Sequence, residues 1–416
     1  MKLIFGVCCS GGQCEEMLRR LSEEAEGITK EVADMLLRHR YVDDFMKSVL
    51  NKQEAERLAR EVNEALAQIN MKTKGWTISG EEPREELTQD GVSIKVGGIT
   101  WYLELDVFRL GISLLFFRKK KRGRISLGTP KFEPECGITV EEFAPEKVTR
   151  EMVTSIVCRV WDPLGKGVPL VNKFKNDLRK LSLKNLDWGS VISSEDRDLW
   201  IDNIKMIEQM RDIMYVRCSI PSDALRTTAS IYVMNDAAQP AIVTSVYARY
   251  ERPQGEWSCQ QIFGKGALAP LGKTLPKTEL QALSNGADVV EFVVAALGSW
   301  VESVHVFTDN EICLAWVSYE SVKLNTFERN RVINITSKVP LDTIMHVQGK
   351  VNPADVGTRP DTITVKDIIQ GSVWLEGYPW MKKPLEQAKA EGIVKSIEDI
   401  KLENDQKKVM KEGGNP

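Results

Sequence analysis

Apolar side chains recur every three or four residues over much of the first seventy positions. Met17, Leu18, Leu21 and Ala25, then Val32, Met35 and Leu36, predict two helical segments across residues 14–38. Gly27 parts them, and Thr29 is placed to start the second. Ala55, Leu58, Val62, Leu66 and Ile69 give residues 52–70 one buried stripe. Residues 40–45 read as a strand, and alternation over residues 71–78 predicts another. Residues 79–91, with Ser-Gly, Pro and Asp-Gly, read as a loop.

The rhythm changes after residue 228. Residues 229–234, 242–250 and 257–263 predict three strands at hairpin spacing. A long helix follows over 275–300, opened by Pro276, whose fixed φ suits a first helical position. Next come a strand at 304–307, helices at 311–318 and 326–338, and a strand at 343–348. A turn at Asn352-Pro353 and a short final helix end the series. Three antiparallel strands followed by alternating helices and strands is the element order of the RNase H fold, so the expected class is α/β (α+β).

Composition narrows the reading. A chain of 416 residues predicts two to four domains, with 28% charged and 42% hydrophobic residues as in ordinary soluble proteins. The net charge of −3 means that nucleic-acid binding must come from local patches. Eight cysteines lack a CxxC pair, and with three histidines a Cys/His metal site at Cys8, Cys9 and Cys14 is not expected. Reduced thiols imply an intracellular compartment. The N-terminus has no long apolar signal core. The most apolar window, 287–307, carries Asp288, Glu291 and Glu302, which argues against a membrane span.

Three constellations carry candidate chemistry. Asp43 and Asp44 are adjacent carboxylates that repel unless a cation sits beside them; a strand-ending turn is the alternative. Arg118, Lys119, Lys120, Lys121, Arg122 and Arg124 form a basic run. It could be a solvated hairpin tip, a phosphate clamp or a nuclear-import signal. Asp236, Glu279, Asp309 and Asp355 fall at the ends of the later elements, where side chains distant in sequence can converge to hold two divalent ions. Singly, Asp309 and Asp355 could be helix N-caps and Glu279 a first-turn carboxylate.

Motifs add a family resemblance. Tyr41-Val42-Asp43-Asp44 resembles the metal-binding hairpin of reverse transcriptase palms. Lys74, Trp76 and Val96-Gly97-Gly98-Ile99-Thr100-Trp101 are similar to later palm motifs of BEL/Pao LTR retroelements. Phe5-Gly6-Val7 and Ser10-Gly11 resemble an earlier one, with Gly11 where proline is usual. Arg150, and Trp161-Asp162-Pro163-Leu164-Gly165 with Pro169, resemble the Thr-Lys-Arg and Phe-Asp-Pro-Leu-Gly…Pro segments. Asn235-Asp236-Ala237-Ala238, Leu275-Pro276-Lys277-Thr278-Glu279-Leu280, Thr308-Asp309-Asn310 and Asn352-Pro353-Ala354-Asp355 resemble the RNase H acidic motifs, with Ala238 in place of serine. Asn330-Arg331-Val332 and the tryptophans of Trp374-Leu375-Glu376-Gly377-Tyr378-Pro379-Trp380 recur in that group too.

The resemblance implies a partial palm with its YVDD hairpin over 1–101 and a thumb or connection over 102–225. An RNase H-like domain would follow over 226–360, then a partly disordered tail over 361–416 leading toward an integrase region. It implies Mg²⁺ or Mn²⁺, two ions on Asp236, Glu279, Asp309 and Asp355, with Asp43 and Asp44 as two-thirds of a polymerase triad. The third carboxylate and the fingers are expected upstream of this chain, so no DNA synthesis by it alone is expected. Lys74 would match a lysine assisting pyrophosphate departure. An RNA–DNA hybrid or template–primer duplex is the implied partner, contacted by Lys74, Arg331 and the basic run. Lys173, Lys175, Arg179 and Lys180 would line a thumb helix facing the backbone. Upstream polyprotein segments are further implied partners, and no membrane is. The implied location is cytoplasmic, in a virus-like particle, with a nuclear one left open. No Asp-Thr/Ser-Gly tripeptide is present, so the aspartic protease is not expected here. No histidine lies between the fifth strand and Asp355, His346 sitting earlier. The rival to a ribonuclease is a non-catalytic nucleic-acid-binding relic, which the truncated palm, Gly11 and Ala238 favour.

Overall fold

The computed structural model describes residues 10–41, 44–81, 92–114, 139–318 and 323–403. The chain divides into two compact units, residues 1–109 and 110–416.

In the first unit, α1 (Ser10–Glu24), α2 (Lys30–Arg38) and α3 (Lys52–Ala67) form where the apolar spacing predicts them. Thr29 starts α2 by accepting a hydrogen bond from Val32 N at 3.2 Å. Leu18, Leu21, Val32, Met35, Leu36, Leu58, Val62 and Leu66 make one core. Between the last two helices, β1 (Arg40–Tyr41) pairs antiparallel with β2 (Asp44–Phe45). Residues 71–78 are not a strand. Thr73 Oγ1 and Trp76 Nε1 both donate to Asn63 Oδ1, at 2.9 and 3.2 Å, so the segment lies extended along α3 and its alternation serves packing. β3 (Ser93–Val96), β4 (Ile99–Tyr102) and β5 (Val107–Arg109) pair antiparallel in order. Gly97 and Gly98, at φ +55° and +82°, make the two-residue turn between β3 and β4, which needs left-handed backbone at both positions.

The second unit opens with β6 (Gly111–Ile112), α4 (Val140–Phe143), α5 (Arg150–Val157), β7 (Val160–Trp161), α6 (Val168–Ser182), α7 (Ser194–Arg211) and β8 (Tyr215–Val216). Its sheet is built from β9 (Ala229–Ala237), β10 (Ala241–Glu251), β11 (Trp257–Leu268), β12 (Val301–Thr308), β13 (Ile344–Val347) and β14 (Val394–Ser396), in the order β11-β10-β9-β12-β13-β14. The β9–β10, β10–β11 and β13–β14 pairs are antiparallel, whereas β9–β12 and β12–β13 are parallel. The parallel pairs need crossovers, supplied by α8 (Leu275–Leu297), then α9 (Glu311–Ser318) and α10 (Thr326–Lys338). Then α11 (Asp355–Thr358), α12 (Val373–Glu376) and α13 (Leu385–Ala390) lead to β14.

Every residue of β9 is buried, as expected for a strand covered on both faces. Ile231 and Val233 join the core with Leu280, Leu283, Ala287 and Val290 of α8. Tyr232 points the other way, with Trp380 stacked on it at 5.9 Å and the Arg249 guanidinium 4.1 Å from its ring centre. α8 is long and apolar enough to cross a membrane, but half of its apolar window is buried against the sheet and α10.

Two regions differ from the sequence reading. Three of the four cations of α6 are engaged within the fold. Arg179 donates to Ala269 O at 2.7 Å and Pro240 O at 2.9 Å, while Lys173 and Lys180 pair with the buried Asp177. Residues 361–403, assigned to a tail, pack on the sheet through the buried Trp374, Trp380 and Met381 and supply its edge strand β14.

Candidate metal centre

β9 and β12 run parallel, so their C-terminal ends lie side by side, and the helix that crosses between them starts near the same end. Three acidic residues occupy that end. Asp236 lies within β9 itself, paired across to Val243, not beyond the strand. Glu279 sits just past the first turn of α8, and Asp309 follows β12 directly. Their carboxylate oxygens come within 4.8 Å of one another, close enough for all three to reach one ion.

The neighbours fix these side chains. Ala237 N donates to Glu279 Oε2 at 3.1 Å, and the Thr358 hydroxyl donates to Asp236 Oδ2. A Cβ on Gly349 would come within 2.5 Å of Asp309 Oδ2, so the bare backbone there makes room for that carboxylate. His346 Nε2 donates to the Asp309 carbonyl at 3.2 Å. Asn310 does the capping: its Oδ1 accepts from Cys313 N at 3.1 Å, which leaves Asp309 free for the cluster. Neither is Asp355 an N-cap; Ala354 holds that position on α11.

Behind the carboxylates, Asn235 is buried and saturated. Its amide donates to Phe307 O at 3.2 Å, its oxygen accepts from Thr244 Oγ1 at 2.8 Å, and its own carbonyl accepts from Asn352 Nδ2 at 3.0 Å. One side chain thus ties β9 to β12 and β10, while Asn352 ties the start of α11 to the same strand.

Burial, then repulsion from Asp309, pushes Asp236 up to about 7. Burial, then repulsion from Asp236 and Asp309, pushes Glu279 up to about 9. Asp309 and Asp355 are also raised, in both cases chiefly by burial. Among the described residues no lysine or arginine pairs with Asp236, Glu279 or Asp309. A buried, oxygen-only donor set without a basic partner fits a hard divalent cation. Asp355 stands apart from the three, ion-paired with Arg359 at 2.7 Å.

Residues 149–310 match the model of the Pao retrotransposon-like RNaseH-like domain. This segment is similar to the RNase H-like domain of Pao retrotransposons. The match spans all three converging carboxylates and begins well before the boundary at 226 that motif order suggested. A foamy viral protease–reverse transcriptase solved with double-stranded DNA aligns at 11% identity and TM-score 0.40. That alignment covers 82% of this chain, which spans 49% of the viral one. RNase H1 of Halobacterium salinarum NRC-1 aligns at 12% identity and TM-score 0.19, over 30% of this chain and 90% of that one. Among curated proteins nothing matches.

The other candidates fall elsewhere. Asp44 accepts a hydrogen bond from Gly97 N at 3.0 Å and so braces the β3–β4 turn. Asp43 and the basic run 118–124 lie outside the described residues. Lys74 is exposed in the first unit. Arg331 is partly buried: its Nε donates to Gln281 Oε1 at 2.5 Å and its guanidinium lies 3.4 Å from the Phe327 ring centre, linking α10 to α8. Sequence reasoning missed Thr358, Gly349 and Asn235 as supports. Thr358 was within reach, one turn beyond Asp355; the role of Gly349 depends on a loop approach that no local pattern encodes.

Proposed function

We propose that the second unit cleaves the RNA strand of RNA–DNA hybrids in a divalent-metal-dependent reaction. The observation that carries this is the meeting of Asp236, Glu279 and Asp309 in one pocket, with no basic partner among the described residues. Asp236, Glu279 and Asp309 would hold the metal, with Asp355 as the fourth carboxylate. Bound there, Mg²⁺ or Mn²⁺ ions supply Lewis acidity at the phosphate and make water a stronger acid.

The chain's own groups set the geometry. The Ala237 N–H holds Glu279 by one oxygen, Oε2. The Thr358 hydroxyl does the same for Asp236, occupying Oδ2 and leaving Oδ1. His346 anchors the main chain of Asp309 from β13, so the carboxylate is aimed by two strands. Such second contacts fix a ligand's direction before substrate arrives. The polymerase reading gains no comparable support, since Asp44 is engaged at a hairpin turn.

The test is cleavage of a labelled RNA–DNA hybrid with Mg²⁺, with Mn²⁺ and with EDTA. Cleavage is expected with either metal and not with EDTA. Asp236→Asn and Asp309→Asn are each expected to lower the rate more than about a hundredfold, as loss of a metal ligand should. Unchanged cleavage in both variants would overturn the assignment. Hybrid binding without cleavage in the wild type would select the non-catalytic relic.

A further inference from the structure

Three of the four acidic candidates converge, and the fourth is held aside by a specific partner. Arg359 NH2 lies 2.7 Å from Asp355 Oδ1, four residues away across the one-turn helix α11. The arginine side chain keeps 66% of its exposure while that of Asp355 keeps 28%, so the pair spans the edge of the pocket.

The backbone beneath the pair has little freedom. Asn352 donates to Asn235 O at 3.0 Å and accepts from Ala354 N at 3.1 Å, fixing the start of α11. At its end, Gly357 O accepts from Asn172 Nδ2 at 3.1 Å, and a Cβ on Gly357 would meet Val243 at 2.9 Å. Trp380 Nε1 holds Val351 O at 3.0 Å on the approach to the helix. With α11 tied at both ends, an exchange of partners by Asp355 would fall to its side chain, set between the guanidinium and the three carboxylates whose ionisation it opposes.

We propose that Arg359 is a positioning residue that holds the Asp355 carboxylate away from the acidic cluster until a phosphodiester of bound nucleic acid takes the guanidinium. This rests on the metal-dependent reading of the cluster. A guanidinium fork binds phosphate through two parallel N–H donors, which a single carboxylate oxygen at the surface does not match. Exchange of one anion for the other conserves charge at Arg359 and releases Asp355 to turn inward. The site then gains its fourth carboxylate only when substrate is present.

The test uses the full chain and Mn²⁺ alone as probe, titrated by calorimetry without nucleic acid. Arg359→Gln is expected to tighten Mn²⁺ binding by about fivefold, the most that an exposed ion pair usually holds back. In an Asp355→Asn background the same change is expected to have no effect, because the arginine acts through that carboxylate. Arg359→Gln should also weaken binding of a short RNA–DNA hybrid in EDTA by about threefold, as loss of one phosphate contact would. An equal shift in both backgrounds, or none in either, would overturn the proposal. Asp236→Asn separates the two levels. If it leaves Mn²⁺ binding unchanged, the metal reading itself fails; if it abolishes binding while Arg359→Gln is silent, only the role of Arg359 fails.

Discussion

Burying carboxylates within reach of one another raises their proton affinity, here Asp236 to about 7 and Glu279 to about 9. Both values lie above those of the unfolded chain, so the folded protein binds more protons in the interval between. Stability then falls as pH rises, from about 4 through 7 for Asp236 and on toward 9 for Glu279. Glu279→Gln removes one ionisation, so metal-free protein carrying it should melt at least roughly 2 °C above wild type at pH 8 and close to wild type at pH 5. Saturating Mg²⁺ should raise the wild type and narrow that gap, which a melting series with and without EDTA would show. Gly349 allows a cleaner separation of site from scaffold. A methyl there would lie 2.5 Å from Asp309 Oδ2, the mobile end of a side chain. Gly349→Ala should therefore displace the carboxylate and weaken Mn²⁺ binding about tenfold with little change in melting temperature, measured side by side. The acidic residues themselves were legible from motif order. Their supports were not, because Thr358, Gly349 and Asn235 act through contacts made only once distant strands meet.

α8 shows how one element serves core and site together. Its buried side, Leu280, Leu283, Ala287 and Val290, lies against β9, and Glu279 rides at the start of the same stripe. Gly286, two turns beyond Glu279, sets the depth of the contact. A Cβ there would stand 2.2 Å from Asn235 Oδ1, whose amide is already bonded to β12 and whose oxygen to β10. Alanine favours an isolated helix by about 1 kcal/mol over glycine, yet overpacking a filled core costs about 1–3 kcal/mol. Gly286→Ala should thus be destabilising on balance, and it should lower hybrid cleavage by lifting Glu279 from Ala237 N. Urea unfolding and cleavage rates check the two effects separately. α3, with one apolar face, was legible from periodicity because a single packed side writes itself into the sequence. Residues 71–78 were not: alternation signals an extended chain, and only Asn63, held on α3, decides that no ladder forms. Residues 361–403 read as a tail because their helices are a turn or so long, too short to show a period.

At the scale of the second unit, that late segment is a structural member of the six-stranded sheet. Trp374 is fully buried and joins parts of the chain far apart in sequence: its Nε1 donates to Lys166 O at 2.7 Å, and its carbonyl accepts from Tyr247 OH at 2.7 Å. The Lys166 loop is itself drawn in. Asp162 accepts from Lys166 N and Gly167 N at 2.9 and 2.7 Å, the Lys166 amine donates to Gln261 O, and Gly264 N donates to Leu164 O at 2.9 Å. Gly165, at φ +70°, comes so close to Gly264 that a Cβ would stand 1.9 Å from its carbonyl oxygen. Residues before the sheet thus cover the outer edge of β11, and residues after it lock that cover in place. Further along, Arg249 of β10 donates to Met381 O at 2.5 Å and to Lys383 O, carrying the same segment across to β10. If this bracing is required, Trp374→Ala should cost about 3–5 kcal/mol, as expected for a buried tryptophan. The loss should expose both flanks together: protection of amides in α6 and in residues 373–383 should fall in parallel by hydrogen exchange, while the first unit keeps its own rates. Loss confined to residues 373–383 would mean that the segment rests on the sheet without bracing it.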